Sequence, residues 1–145
     1  MRYHYPISSF PSLWKEMEKL IKKMRLISPN QVLEELKPKD DELFKWCMSH
    51  KKMFKKEDIN TINTAKSLLD RFPQLGHPDK EIEDADPYVI ALAIELNKQK
   101  TLGKRLVVVV SDEGEKQFHI PDVCKRLDIK CIKFIGIIHE EGWTF

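Results

Sequence analysis

Glycine is scarce in this chain of 145 residues, five in all, and none falls in a Gly-x-Gly-x-x-Gly, Gly-x-x-x-x-Gly-Lys-Ser/Thr or Gly-x-Ser-x-Gly pattern. Dinucleotide binding, a P-loop and the α/β-hydrolase elbow lose their usual sequence support. Cysteine is scarce too. Cys47, Cys124 and Cys131 are an odd set without a Cys-x-x-Cys pair, which argues against a disulfide framework and leaves reduced, structural thiols. Cys47 and His50 lie one helical turn apart, but no matching second pair completes a zinc site. Long apolar runs are missing as well. Leu106–Val110 is short and Tyr88–Leu96 carries Glu95, so neither approaches the roughly 20 residues that span a bilayer. No membrane association is expected. The start, Met1 to Pro6, has no basic, apolar and small-residue succession of a secretory leader, so a cytoplasmic protein is expected.

What is present is 41% hydrophobic and 33% charged residues, the makeup of one globular domain over 1–145. The net charge of +2 hides an asymmetry: residues 1–60 hold 13 Lys/Arg against 9 Asp/Glu, and residues 61–145 hold 12 against 14. The densest basic run, Lys51, Lys52, Lys55 and Lys56 around Met53 and Phe54, is either a phosphate-contacting patch or a solvated helix end or loop.

Phe10, Leu13, Trp14, Met17, Leu20, Ile21 and Met24 recur at helical spacing, with Ser9 as cap and Pro11 in the first turn. Arg25–Ile27 reads as a short strand. Ser28-Pro29 then starts a helix that Pro38 ends. Asp40 and Asp41 cap a third helix bearing Leu43, Trp46 and Cys47, and Asp58 caps a fourth through Phe72. A loop over 73–84 precedes Asp86-Pro87, which opens a helix apolar enough to be buried on more than one side. Leu106–Val110 reads as a central parallel strand covered on both faces. Pro121 starts a short helix, Ile129–Phe134 forms a last strand, and Ile135–Glu141 closes the chain before Gly142. This alternation implies an open parallel α/β sheet with helices on both faces, whose sites lie beyond the carboxyl ends of the strands. Three strands are few for such a sheet.

Acidic residues fall where that architecture gathers side chains. Asp86 opens the buried helix, Asp112 and Glu113 follow the strand 106–110, and Asp122 stands at the next helix start. Glu35 lies between Val32 and Leu36 on the apolar side of its helix, where an unpaired carboxylate is costly. Converging carboxylates repel unless a cation neutralises them, and hard oxygen ligands select Mg²⁺ or Mn²⁺. Each acid also has a plainer role: Asp86 and Asp122 as helix-start acceptors, Asp112 and Glu113 as solvated turn residues beside Gly114.

Several strings, in order, carry a resemblance: Phe10-Pro-Ser-Leu-Trp14, Val32-Leu-Glu-Glu-Leu36, Ala85-Asp-Pro-Tyr-Val-Ile-Ala-Leu-Ala93, Val107 to Glu113, Ile120-Pro-Asp-Val-Cys124 and Glu140-Glu-Gly-Trp-Thr-Phe145. Together they resemble one PIN-like family over essentially the whole chain, related to VapC-type toxins. The resemblance implies a three-layer α/β/α sandwich with a short parallel sheet, and RNA cleavage with Mg²⁺ or Mn²⁺ silenced by a partner antitoxin. The family's Val-x-x-Glu-Leu acid falls on Glu35 and the Asp opening its buried helix on Asp86. Its acid two positions after a strand-end hydroxyl falls on Glu113, with Ser111 as the hydroxyl; Asp is commoner there. Asp122 matches the Pro-Asp-Val-Cys string, and ligation and capping stay open for it. PIN domains begin with a central strand ending in Asp, and this chain is expected to start after it. The expectation is an N-terminally truncated domain, from a late-assigned start, a cut chain or a degenerate fold.

The leading expectation is a toxin of a toxin–antitoxin pair, a metal-dependent endoribonuclease. Glu35, Asp86 and Glu113 would be catalytic, with Asp112 and Asp122 as further metal ligands. Lys37, Lys39, Lys51, Lys52, Lys55 and Lys56 would hold the RNA backbone. The alternative is a catalytically inactive PIN-like module that binds RNA or a protein. A missing strand also leaves edges that favour a homodimer. A receiver domain phosphorylated on Asp fits the order of acids poorly.

Overall fold

The computed structural model describes residues 5–76, 84–99, 107–114 and 117–145. The chain forms two compact units, one extending to Lys56 and including Phe145, the other Glu57–Thr144.

In the first unit, α1 (Pro11–Lys22) buries Leu13, Trp14, Met17, Leu20 and Ile21 on one stripe, as the spacing predicts. Phe10, not Ser9, is its N-cap, and no side chain caps it. The Trp14 indole N–H donates to the Tyr5 carbonyl at 3.0 Å, which satisfies a polar atom on an otherwise apolar ring. The expected strand at Arg25–Ile27 is displaced: β1 is Ser28–Pro29, running directly into α2 (Asn30–Leu36). Pro29 has the extended backbone of an N-cap residue, and lacking an N–H it sits in a strand with a partner on one side. That partner is β2 (Phe54–Lys55), parallel, with Ser28 opposite Phe54 and Pro29 opposite Lys55. Of the basic run, Lys55 is therefore in a strand, and Lys51 and Lys52 are in the 3₁₀ turn before it, Lys51–Met53. Between them, α3 (Glu42–Met48) is capped by Asp41, whose Oδ1 accepts from the Phe44 N–H at 3.0 Å. Asp40 is left-handed instead. Ile21, Cys47 and Met53 close this core, with Leu33, Leu36, Leu43, Trp46 and Phe54 against it.

In the second unit, α4 (Ile59–Arg71) starts as expected at Asp58, whose Oδ1 accepts from the Thr61 N–H at 2.7 Å. It packs on α5 (Asp86–Lys98), which buries Pro87, Tyr88, Ile90, Ala91 and Ala93, as a helix covered on several sides should. Between the two helices, the Thr64 hydroxyl donates to Glu95 Oε1 at 2.5 Å. The apolar run 106–110 yields a strand only at Val109–Val110 (β3); Leu106 lies outside the described residues. It pairs in parallel with β4 (Cys131–Ile132). The expected last strand is shorter too, because Phe134 already begins α7 (Phe134–Glu141). α6 (Ile120–Arg126) lies between the strands in sequence. The architecture is mixed α/β with two separate parallel strand pairs among the described residues.

Three helices end in the same way, with a residue in the left-handed region followed by an N–H that reaches back over the last turn. At α7 the residue is Gly142, as expected, with the Trp143 N–H on the Ile138 carbonyl. At α6 it is Asp128 and at α1 Met24, with φ of 57° and 58°. Their followers, Ile129 and Arg25, donate to Cys124 and Leu20 at 2.8 and 2.9 Å. Met24 bears the Cβ clash of that conformation and is 58% exposed, so little packing offsets it. Met24→Gly is expected to stabilise the fold by about 0.5–1 kcal/mol, read as a higher urea midpoint at unchanged slope; Gly142→Ala should shift it the other way.

Asp58 and Glu95 lie below their ordinary carboxyl values of 3.8 and 4.5. The Thr61 N–H and hydroxyl hold Asp58 charged, and the Thr64 hydroxyl and then Lys98 do so for Glu95. A folded pKa below the unfolded one stabilises above the unfolded value, and that stability is lost as pH falls through the folded value. The melting temperature should hold down to about pH 5 and fall below about pH 4. Asp58→Asn with Glu95→Gln should make that acid limb shallower.

Candidate functional site: an acidic turn and a basic groove

After β3 the ladder continues for one residue, the Ser111 N–H donating to the Ile132 carbonyl at 2.9 Å. The chain then turns, and the Glu113 N–H donates to Ser111 Oγ at 3.2 Å, a hydroxyl-closed turn that leaves the two acids diverging. Asp112 Oδ1 accepts from the Phe134 N–H at 2.7 Å, the first amide of α7. Glu113 Oε2 accepts from the Ile120 N–H at 3.0 Å, the first amide of α6, and lies 3.8 Å from His119 Nδ1. Asp122, in the first turn of α6, reaches back with Oδ2 to the Phe118 N–H at 2.9 Å and to Arg126 Nε at 2.8 Å. Phe118 is left-handed, φ 63°, and the Arg126 guanidinium covers its ring at 4.7 Å. A backbone amide and a guanidinium that bond a carboxylate favour its charged form: the Phe118 amide and then Arg126 hold Asp122 below the ordinary value.

Two thiols border this turn. Burial pushes Cys124 up to about 12, and burial, together with the Glu113 charge, raises Cys131. Neither carries thiolate reactivity, and all three cysteines are free.

The fold thus brings Asp112, Glu113 and Asp122 to the carboxyl end of β3 and the starts of α6 and α7. Asp122 does not cap α6: it accepts from the Phe118 N–H ahead of that helix and from Arg126, and His119 is the N-cap, with no side-chain cap hydrogen bond. Asp86 opens α5 half-buried. Glu35, on α2 of the first unit, is half-buried as its neighbours Val32 and Leu36 are. Among the described residues no three His, Cys, Asp or Glu side chains are grouped to hold a metal ion, and no helix is long and apolar enough to cross a membrane.

The basic residues divide. Lys37, Lys39, Lys51, Lys52 and Lys56 are exposed and Lys55 is half-buried in β2. Lys37 and Lys51 come together on a groove of about 300 Å³ in the first unit, floored by Leu33, Phe44, Met48 and Phe54. Sequence reasoning found these lysines and missed the groove, since it read only Leu43, Trp46 and Cys47 as the buried stripe of α3 and assigned Phe44 and Met48 nothing. The visible signal was two apolar residues one position on from Leu43 and Cys47, about 100° around the helix from that stripe. Ser111 was legible only as a strand-end hydroxyl, and His119 not at all.

A mixed α/β protein with a carboxylate turn at a parallel strand end is what these features define. The chain belongs to the family described as Domain of unknown function (DUF4411), whose model matches residues 1–145. No curated protein and no solved structure matches the chain.

Proposed function

We propose that this chain is a PIN-like, metal-dependent endoribonuclease, folded as a three-layer α/β/α sandwich and acting in the cytoplasm as the toxin of a toxin–antitoxin pair. The observation that carries the reading is the acidic turn: Asp112 and Glu113 leave the end of a parallel strand and, with Asp122, surround two helix starts, the position where sites form in open α/β sheets. The donors are hard oxygens and suit Mg²⁺ or Mn²⁺. Mg²⁺ commonly takes only one or two protein carboxylates and completes its shell with water and substrate phosphate, so Glu113 with one neighbour is a sufficient protein share. Such an ion supplies an activated water and stabilises charge on the phosphodiester. The chain's own part is to orient Asp112 and Glu113 through the first amides of α7 and α6, and to hold the RNA backbone on its exposed lysines. An antitoxin and a second copy of the chain are the protein partners of this reading.

A second reading has its own observation. Each acid of the turn already accepts from a backbone amide, which suits a binding module that does not cleave. Incubating the chain with a labelled single-stranded RNA separates the two. Cleavage that needs Mg²⁺ or Mn²⁺ and stops with EDTA supports the nuclease; RNA binding without products under either ion supports the module. Asp86→Asn and Glu35→Gln, each assayed on its own, test the remaining residues that the family resemblance marks as catalytic.

A further inference from the structure

The groove of the first unit combines three kinds of chemistry. Phe44, Phe54, Leu33 and Met48 form an apolar floor, Asn30 and Glu34 offer donor and acceptor groups at its wall, and Lys37 and Lys51 stand on its rim. Neither lysine is in an ion pair among the described residues, and Glu34 is the one carboxylate that lines the groove with the two of them. Its volume of about 300 Å³ lies at the small end of ligand pockets, suited to a single nucleotide. The local fold explains why it persists. The parallel pairing of β1 with β2 fixes Phe54 opposite Ser28, two residues before α2, while the Asp41 cap fixes the start of α3 and hence Phe44.

We infer that this groove is a nucleotide subsite for single-stranded RNA, with a base on the Phe44 and Phe54 floor, its edge toward Asn30 and Glu34, and flanking phosphates on Lys37 and Lys51. This rests on the RNA reading proposed above and adds where, and in what form, RNA is held. Apolar floors with aromatic rings accept any base through its face. Two lysines at the rim match the charge of a strand passing through, and the polar wall gives a base edge something to read. A duplex keeps its bases stacked inside and offers none to the floor, so the subsite selects single strands.

The test uses the full chain and a fluorescein-labelled octauridine, with the same sequence annealed to octaadenosine as duplex competitor. Binding is followed by anisotropy and repeated with an oligonucleotide carrying 5-iodouridine for ultraviolet crosslinking and mass mapping. Tighter binding of the single strand is expected, with crosslinks in the peptide bearing Phe44 and Met48 or in that bearing Phe54. Met48→Glu, at an exposed position, and Phe44→Ala should each weaken binding about tenfold. Lys37→Ala with Lys51→Ala should flatten the salt dependence by about 1.4 in log–log slope, the release from two single-strand phosphates. Met48→Glu guards against misfolding of the Phe44 variant, and circular dichroism checks both. If the wild-type chain binds the oligonucleotide, every variant binds it with unchanged affinity and the crosslinks map elsewhere, the subsite is wrong while the RNA reading stands. If the wild-type chain binds no RNA, the RNA reading falls and the subsite with it.

Discussion

On the nuclease reading proposed above, Glu113→Gln should lower Mg²⁺-dependent RNA cleavage about a hundredfold while leaving the melting temperature nearly unchanged. The amide oxygen of Gln can still accept from the Ile120 N–H that Glu113 now holds at 3.0 Å, so α6 keeps its first hydrogen bond. What is lost is the negative charge, and with it the attraction for a divalent ion. Glu113→Ala separates these roles, because it removes acceptor and charge together and should cost about 1 kcal/mol of stability in addition to activity. Asp122→Asn is the informative neighbour. Its carboxylate is shared between the Phe118 amide and Arg126, so a purely structural Asp122 would leave cleavage intact, whereas a ligand would lose activity as Glu113→Gln does. The measurements are initial cleavage rates across a Mg²⁺ titration, alongside thermal melts of each variant. Unchanged rates at saturating Mg²⁺ for Glu113→Gln would remove this residue from the nuclease reading.

The helices were largely legible because their signals are local. Asp41 and Asp58 cap where a short polar residue precedes an apolar stripe, and Gly142 ends α7 where only glycine adopts the left-handed turn without strain. The strands were legible only in part, because pairing depends on residues distant in sequence. Arg25–Ile27 has the composition of a strand, yet the pair forms one step later at Ser28–Pro29, chosen by Phe54–Lys55. No propensity marks Pro29 for that role. The run Leu106–Val110 is β-branched, yet the described ladder extends only from Val109 to Ser111, because β4 offers the matching groups at Lys130 and Ile132. The candidate site was readable as a set of acids after a strand. What each acid does was not, since Asp112 and Glu113 are adjacent in sequence and turn to different helices.

The largest loss of stability is expected where one of those helices enters the core. Phe134 is 2% exposed and begins α7, and its N–H is the donor that Asp112 Oδ1 accepts at 2.7 Å. Phe134→Ala removes a fully buried ring and should cost about 3–5 kcal/mol, as cavity-forming aromatic truncations do. Asp112→Ala leaves the ring in place but strips its amide of a partner, and an orphaned donor at a buried helix start should cost about 1–3 kcal/mol. The two effects are coupled through one residue. Without the ring, the start of α7 is free to shift until the amide finds water, so removing the acceptor then matters less. The double variant should therefore be less destabilised than the sum of the single ones by at least about 0.5 kcal/mol, the usual threshold for residues in contact. Urea unfolding of the wild type, both single variants and the double variant measures the cycle. Strict additivity would mean that Asp112 acts on the turn after β3 and not on α7, and that the first turn of α7 is held by its buried side chains alone.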